Sequence, residues 1–159
     1  MGHATESTLW QSDAFSQPIK DLISRYYELS DSPQADAGEI LASKVFSSDA
    51  CVKSPQGSFT SSAEIAASRE NAWKVVESRK HTIDRAFFGD HGESPEIVII
   101  GSLYMTFRNG KSLDSPFATH IKLDAASAPT SQPLMSYMEV YTVSFSDYEE
   151  LCSYWDVVN

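Results

Sequence analysis

The spacing of hydrophobic residues changes from helical to strand-like near residue 80, and this change constrains the fold more than any other feature. From there on, segments rich in β-branched and aromatic residues alternate with loops rich in Gly, Ser, Pro and Asn. The Asn109-Gly110 pair in one of these loops is a strong hairpin signal. We therefore predict four successive strands, at 80–88, 96–107, 115–124 and 134–145.

Three segments before residue 80 have the spacing of amphipathic helices. The first begins near Ser16, and the next two begin with capping-box patterns at Asp36 and Ser61. Each has an apolar stripe that would face a core, and three helices followed by an antiparallel meander define an α+β fold. The length of 159 residues suits one domain. We predict a flexible N-terminal arm at 1–16, a single domain at 17–147 and a C-terminal tail at 148–159.

Charge and composition exclude several classes of partner. Twenty-two acidic and 12 basic residues give a net charge of −10 at pH 7, whereas nucleic-acid binding needs a basic stripe and an anionic membrane would repel such a chain. Cys51 and Cys152 have neither CxxC nor Cys/His spacing, so we expect reduced thiols and no metal site. No phosphate-binding loop or nucleophile elbow is present, so no cofactor is expected. No signal peptide or membrane span is evident, and we expect a cytoplasmic protein.

Five segments occur in a distinctive order between Ile19 and Phe145: SRENAWKVV, RKHTIDRAFF, GSLYMTFRNGK, FATHIKL and YMEVYTVS. Their order and spacing resemble the NTF2-like superfamily, and within it the SnoaL-like proteins of fungal secondary metabolism. The resemblance implies a cone in which three helices and a curved antiparallel sheet enclose an apolar pocket, often in a homodimer. Members include polyketide cyclases, ketosteroid isomerases, dehydratases and rearrangement enzymes, and other members only bind.

Two family residues are replaced in this chain. Phe117 and His120 stand where many fungal relatives have a tryptophan and then an arginine, and Val143 stands where they have an aspartate. The acid–base groups must therefore be sought among the residues that are present.

The predicted hairpin gives a register for the neighbouring strands. A two-residue loop at Asn109-Gly110 would place Ile99 opposite His120. His120 would then share a face with apolar side chains, namely Ile97, Ile99, Leu103, Met105 and Phe107. Histidine titrates near neutral pH and suits proton transfer, although a histidine on an apolar face is also often a packed core residue.

The loop before the last strand is too long to fix which residue lies opposite His120. If it is Glu139, then Tyr137, Glu139 and Tyr141 share the His120 face; if it is Met138, they point away. We favour Glu139, because a carboxylate, an imidazole and two phenols would then converge in one apolar cavity. The resemblance agrees, since polar residues of the last strand line the pocket in many members. Enclosure would raise the pKa of the carboxyl and suit it to acid–base chemistry.

Five further residues are candidates for substrate binding. Arg69 lies on the apolar stripe of the third predicted helix, one turn before Trp73. It would steer an oxygenated ligand, form a buried ion pair with Glu139 or Asp84, or reach the rim. Tyr27 is either a core residue or a pocket residue.

The last two candidates are His81 and Phe117. His81 and Asp84 point to opposite faces of the first predicted strand, so at most one of them reaches the pocket. Arg85 would share the His81 face, which favours a surface salt bridge there. We predict that Phe117 lines the pocket and binds substrate.

These residues predict a cofactor-independent isomerase, cyclase or dehydratase that acts on a carbonyl intermediate of polyketide, terpenoid (including meroterpenoid) or alkaloid type. Glu139 would be the general acid/base, His120 its partner and Tyr141 an orienting hydrogen-bond donor. The alternative is a non-catalytic protein that binds a small apolar, oxygenated molecule or serves as a dimeric interaction module. A homodimer is expected in both cases.

Overall fold

The computed structural model describes residues 3–89 and 94–142 of the chain. In these ranges three helices pack against a sheet of seven strands. The helices are α1 (Gln17–Ser30), α2 (Ala37–Lys44) and α3 (Ser62–Ala67). The strands are β1 (Leu9–Trp10), β2 (Phe46–Ser54), β3 (Gly57–Phe59), β4 (Val76–Gly89), β5 (Glu96–Phe107), β6 (Ser112–Leu123) and β7 (Met135–Thr142).

The sheet has the strand order β1-β4-β5-β6-β7-β2-β3. The four long strands from β4 to β7 form the predicted antiparallel meander. The short β1 runs parallel to β4, and β2 runs parallel to β7, so the complete sheet is mixed. The predicted α+β class with three N-terminal helices on a curved sheet is confirmed.

Helix α1 covers one face of the sheet, which we call the inner face. Its stripe of Ile19, Leu22, Ile23 and Tyr27 is buried, as the spacing predicted. Opposite it, the inner face carries fully buried side chains, namely Ile83, Ile97, Ile99 and Ile121. Burial of each such aliphatic side chain contributes roughly 1.5–3 kcal/mol, so the α1–sheet contact forms the main core.

The predicted capping box at the start of α3 is present. The Ser61 hydroxyl accepts a hydrogen bond from the Glu64 amide at 3.2 Å, and the Glu64 carboxylate accepts one from the Thr60 amide at 2.6 Å. The helix ends at Ala67, earlier than its pattern predicted, and the chain continues in turns until Val76 begins β4. Strand pairing with β5 overrides the helical pattern there. At the start of α2, by contrast, the Asp36 side chain makes no capping bond.

The N-terminal segment is packed, which contradicts the prediction of a flexible arm. Ala4 and Thr5 are buried, the Thr5 hydroxyl donates to the Ser24 hydroxyl of α1 at 3.1 Å, and β1 pairs with β4. The predicted tail at 148–159 lies outside the described residues. None of the helices in the described ranges is long and apolar enough to cross a membrane.

The β5–β6 hairpin has a three-residue loop rather than the predicted two-residue loop. The Phe107 amide donates to the Lys111 carbonyl, and the Gly110 amide donates to the Phe107 carbonyl, both at 2.9 Å. Gly110 has φ of +83°, which the bulged residue of such a turn requires. The pairing therefore shifts by one residue, so that Val98 rather than Ile99 lies opposite His120.

Gly101 allows a close approach that positions Phe117. A Cβ atom at Gly101 would lie 2.4 Å from the Thr82 carbonyl oxygen and 3.0 Å from the Phe117 ring. Gly101→Ala is therefore expected to lower the free energy of unfolding by about 1–3 kcal/mol, because the strand or the ring must move. Urea denaturation measures this loss. Ser102→Ala on the other face is the control, and equal stability of the two variants would contradict the packing described.

Candidate active site

The register of β6 and β7 is the predicted one, but the side chains lie on the other face of the sheet. Glu139 pairs with His120 and Tyr141 pairs with Ala118. Because the hairpin shift moves His120 opposite Val98, these side chains project from the face that α1 does not cover. We call this the outer face. The prediction that Glu139, His120 and Tyr141 line the pocket is therefore wrong.

Electrostatics on the outer face also differ from those predicted for Glu139. Tyr137 donates a short hydrogen bond to the Glu139 carboxylate. Hydrogen bonds from Tyr137 and then Tyr141 hold the pKa of Glu139 below its usual value. A carboxyl group with these neighbours remains ionised at neutral pH, so it does not match the enclosed acid that the sequence suggested.

His120 is bonded within the same outer surface. Its Nε2 lies 2.9 Å from the Glu96 carboxylate, and Lys122 Nζ lies 3.0 Å from the other Glu96 oxygen. The hydrogen bonds from Lys122 and then His120 lower the pKa of Glu96. His120, Glu96 and Lys122 form a partly exposed cluster of charged and polar groups, and the contribution of such a cluster to stability is small.

A histidine–carboxylate pair does exist on the inner face, between His81 and Asp31. The Nδ1 atom of His81 lies 2.5 Å from Asp31 Oδ1, and the His81 backbone amide donates to Asp31 Oδ2 at 2.8 Å. The Asp31 side chain is 3% exposed and the His81 side chain is 14% exposed. We call this pair the dyad; its histidine can still be reached from solvent.

The end of α1 and an irregularity in β4 determine the positions of the two dyad residues. Asp31 is the residue that follows α1, and His81 is on the inner face of β4 opposite Leu103. An irregularity between Ile83 and Arg85 changes the alternation of β4, so Arg85 is exposed. The prediction that Arg85 shares the His81 face is therefore wrong, and His81 contacts the buried Asp31 carboxylate rather than belonging to a plain surface salt bridge.

Aromatic side chains enclose the His81 ring. Ring centroids of Tyr27 and Phe117 lie 5.1 Å and 5.5 Å from that of His81. The Tyr27 hydroxyl and the Thr119 hydroxyl are 3.2 Å apart, and burial raises the pKa of Tyr27, so the phenol stays protonated. Three of the predicted substrate-binding residues, Tyr27, His81 and Phe117, thus come together; their role in binding stays a prediction.

Protonation of the dyad follows from its hydrogen bonds. Burial alone raises the pKa of Asp31, but the hydrogen bonds and charge of His81, with a hydrogen bond from His3, hold it below its usual value. An ionised carboxylate only accepts hydrogen bonds, so His81 Nδ1 must carry a proton. In the neutral imidazole the lone pair is then on Nε2, where it can accept a proton from a substrate.

Two arginines bind the C-terminal end of α1, next to Asp31. Arg69 donates to the Ser30 carbonyl at 2.8 Å, and Arg79 donates to the same carbonyl at 3.3 Å. Cations favour helix C-termini, where carbonyl groups lack intrahelical partners. Arg69 thus bonds carbonyl groups rather than forming the buried ion pair considered above. Burial lowers its pKa.

Trp73 belongs to the same group of side chains. The Arg79 guanidinium lies 5.3 Å from the centre of the Trp73 ring. Arg69 Nε and Trp73 Nε1 are buried N–H groups with no acceptor among the described residues. The substrate-binding role predicted for Arg69 and Trp73 stays a prediction.

A cleft of about 690 Å³ lies elsewhere, between the start of α1 and the loop before β7. Ser16, Ile19, Phe88, Pro95 and Thr130 are among the residues that line it. None of its described lining residues has a titratable side chain. Since acid–base chemistry needs such groups, the dyad rather than this cleft is the candidate active site.

Sequence reasoning missed Asp31. A signal was present, because Asp31 directly follows a predicted helix, and the dipole of a helix disfavours a carboxylate at its C-terminus. A carboxylate there needs a cationic or hydrogen-bonding partner.

Within residues 3–89 and 94–142, no group of three or more His, Cys, Asp or Glu side chains could hold a metal ion.

No protein-family model matches the sequence, and no curated protein sequence matches it. Solved structures do match. An NTF2-like superfamily protein from Salmonella enterica superposes with a TM-score of 0.66 at 17% identity, over 82% of this chain and 92% of that chain. The chain has the NTF2-like fold.

Two further structures with the NTF2-like fold have names that denote elimination enzymes. A hexachlorocyclohexane dehydrochlorinase, LinA type 2, has a TM-score of 0.68 at 14% identity, over 81% of this chain and 85% of that chain. A protein assigned as a scytalone dehydratase from Novosphingobium aromaticivorans has a TM-score of 0.63 at 13% identity, over 80% and 83%. At these identities the likeness establishes the fold alone. Membership in the fungal SnoaL-like group stays a prediction.

Proposed function

We propose that this protein is a cofactor-independent lyase or isomerase in which His81 is the general base. The observation that carries the proposal is the 2.5 Å contact between His81 Nδ1 and the Asp31 carboxylate, inside an aromatic enclosure. A base fixed in this way needs only a substrate with an acidic C–H bond. Two structures with the same fold have names that denote a dehydratase and a dehydrochlorinase, which supports an elimination as the type of reaction.

In the reaction we propose, His81 Nε2 removes a proton from the carbon next to a carbonyl group. Electrons of the broken C–H bond form an enolate, and Asp31 stabilises the imidazolium that results. The enolate re-forms the carbonyl as it expels a hydroxyl group from the β-carbon, and that oxygen takes the proton from His81 and leaves as water. Without a leaving group, return of the proton to another carbon gives an isomerisation.

The proposed substrate is an apolar, oxygenated carbonyl compound of the polyketide, terpenoid or alkaloid type. The aromatic rings of Tyr27 and Phe117 beside His81 favour an apolar body. Tyr27 keeps its proton and can donate a hydrogen bond to a substrate oxygen. Half-buried Leu103, opposite His81, extends the apolar wall.

The experiment that tests this proposal compares extracted metabolites by mass spectrometry. Four strains of the source organism are needed: unmodified, gene-deleted, His81→Gln and His120→Gln. We expect one compound to accumulate in the deleted and His81→Gln strains but not in the matched His120→Gln strain. An unchanged profile in the His81→Gln strain, with a changed profile on deletion, would contradict the role of His81.

We also propose that the protein is a cytoplasmic homodimer that pairs through the outer face. Large apolar side chains on this face are 38–51% exposed, namely Phe87, Val98, Ile100, Tyr104 and Tyr141. Large apolar side chains that are exposed together on one face mark an interaction surface. The charged groups near them are balanced, since Glu96 and Glu139 are accompanied by Lys122 and Lys53. In a chain of net charge −10, a locally neutral face is where two copies repel each other least.

Ile100→Lys is expected to convert the dimer to a monomer. Ile100 is 43% exposed near the middle of β5, and a lysine at each copy would place like charges in an apolar contact. Light scattering after size exclusion should give twice the chain mass of 17.6 kDa for the unmodified protein and 17.6 kDa for the variant. Gln34→Lys, an equal charge change at an exposed loop residue, should remain dimeric. A monomeric unmodified protein would refute this interface.

A further inference from the structure

Asp31 has a second histidine partner that the proposed reaction does not use. His3 Nε2 lies 2.9 Å from Asp31 Oδ2, the oxygen that also accepts the His81 backbone amide. The other oxygen, Oδ1, is left to His81 Nδ1. His81 therefore contacts both carboxylate oxygens, and His3 adds a second donor, from another part of the chain, to the oxygen that does not face the imidazole.

The segment that carries His3 joins the two elements on which the dyad is built. The Thr5 hydroxyl donates to Ser24 of α1 at 3.1 Å, and the Thr8 hydroxyl donates to the Ile83 carbonyl of β4 at 2.9 Å. Leu9 and Trp10 then pair with Arg85 and Ala86 of β4. Residues 3–10 thus connect α1, which Asp31 directly follows, to β4, which carries His81.

We propose that His3 is a positioning residue that fixes the orientation of the Asp31 carboxylate, so that Oδ1 faces His81 Nδ1. This inference rests on the proposed function for its catalytic meaning. A carboxylate bonded only by His81 can shift together with that residue, whereas a further bond from His3 also ties Oδ2 to the N-terminal segment, so the carboxylate cannot turn without losing a bond to a second element. Since catalytic groups must keep their geometry closely, the N-terminal segment becomes part of the active site.

Two variants separate this role from simple packing. His3→Leu removes the donor, and His3→Gln supplies an amide N–H that can replace it. The other titratable groups around Asp31 are unchanged in both: His81, Tyr26, Tyr27, Arg69 and Arg79. His3 is 45% exposed, so neither substitution disturbs the core.

The measurement is the pH titration of the Asp31 carboxyl carbon by ¹³C NMR in the full-length protein. Loss of the His3 hydrogen bond should raise the pKa of Asp31 in His3→Leu, because that bond favours the ionised form. His3→Gln should titrate like the unmodified protein. An unshifted Asp31 in His3→Leu, or an equal shift in both variants, would overturn the proposal. The titration needs no substrate, so it decides the role of His3 even if the metabolite comparison fails to support a catalytic His81.

Discussion

Replacement of His81 by glutamine is expected to reduce kcat/KM by roughly 10²- to 10⁴-fold, the usual contribution of a general base. Glutamine has similar length and can keep a hydrogen bond to Asp31, but it has no group that takes a proton at neutral pH. The fold should survive, because glutamine can still donate to the Asp31 carboxylate and is close to histidine in size. The assay uses the compound that accumulates in the deletion strain.

His120→Gln is the matched control for this measurement. It makes the same chemical change on the outer face, where His120 contacts Glu96 rather than Asp31. We expect kcat/KM to stay within about twofold of the unmodified value, since surface substitutions away from special features have small effects. Equal losses for both variants would mean that the fall reflects folding or dimerisation rather than proton transfer.

The second large effect is expected for Asp31→Asn, on stability. Asparagine leaves the donors of His81 and His3 with one neutral acceptor oxygen in place of two ionised ones, and a buried polar group without a partner costs about 1–3 kcal/mol, or more where the lost acceptor was charged. The asparagine amide would also place N–H groups toward the donors of His81 and His3. We expect the free energy of unfolding to fall by about 3 kcal/mol at pH 7, measured by urea denaturation.

The pH dependence of this loss has a definite sign. The pKa of Asp31 is lower in the folded protein than its usual value. Its stabilising contribution is therefore complete above the unfolded-state pKa of about 3.9 and is lost as the pH falls through the lower folded-state value. The difference between the unmodified protein and Asp31→Asn should therefore shrink below about pH 4, where a carboxyl takes up its proton.

Asp36→Asn is the matched control for stability. Asp36 is exposed before α2 and makes no side-chain capping bond, so this substitution should change the unfolding free energy by less than about 0.5 kcal/mol. A difference between Asp31→Asn and the unmodified protein that persists unchanged at pH 3 would contradict the ionised Asp31 described above.

Local patterns predicted most of the fold because they depend on neighbours in sequence. The stripe of α1 and the capping box at Ser61 are examples. The hairpin register was not predictable in this way, because Asn109-Gly110 suits both a two-residue loop and a three-residue loop with a bulge. Alternation in β5 did not decide between them, since Ile97 to Ile100 are apolar on both faces. A difference of one residue then moved His120, Glu139 and Tyr141 to the outer face.

The site itself depends on contacts between distant parts of the chain. His81 and Asp31 are 50 residues apart, and His3 is 28 residues from Asp31. No local pattern brings them together; the packing of α1 against β4 does. The resemblance to NTF2-like proteins predicted an apolar interior, and Tyr27, His81 and Phe117 were among the residues predicted to bind substrate. It could not reveal the carboxylate that determines which nitrogen of His81 is protonated.

The tautomer of His81 distinguishes a general base held by Asp31 from a histidine that only packs in the core. Long-range ¹H–¹⁵N correlation spectra of the full-length protein distinguish a protonated ring nitrogen from an unprotonated one. At neutral pH we predict a proton on Nδ1 and a free lone pair on Nε2 for the neutral His81 ring, and loss of this preference in Asp31→Asn. A His81 ring that carries its proton on Nε2 in the unmodified protein would contradict the dyad and remove the general base from the proposed reaction.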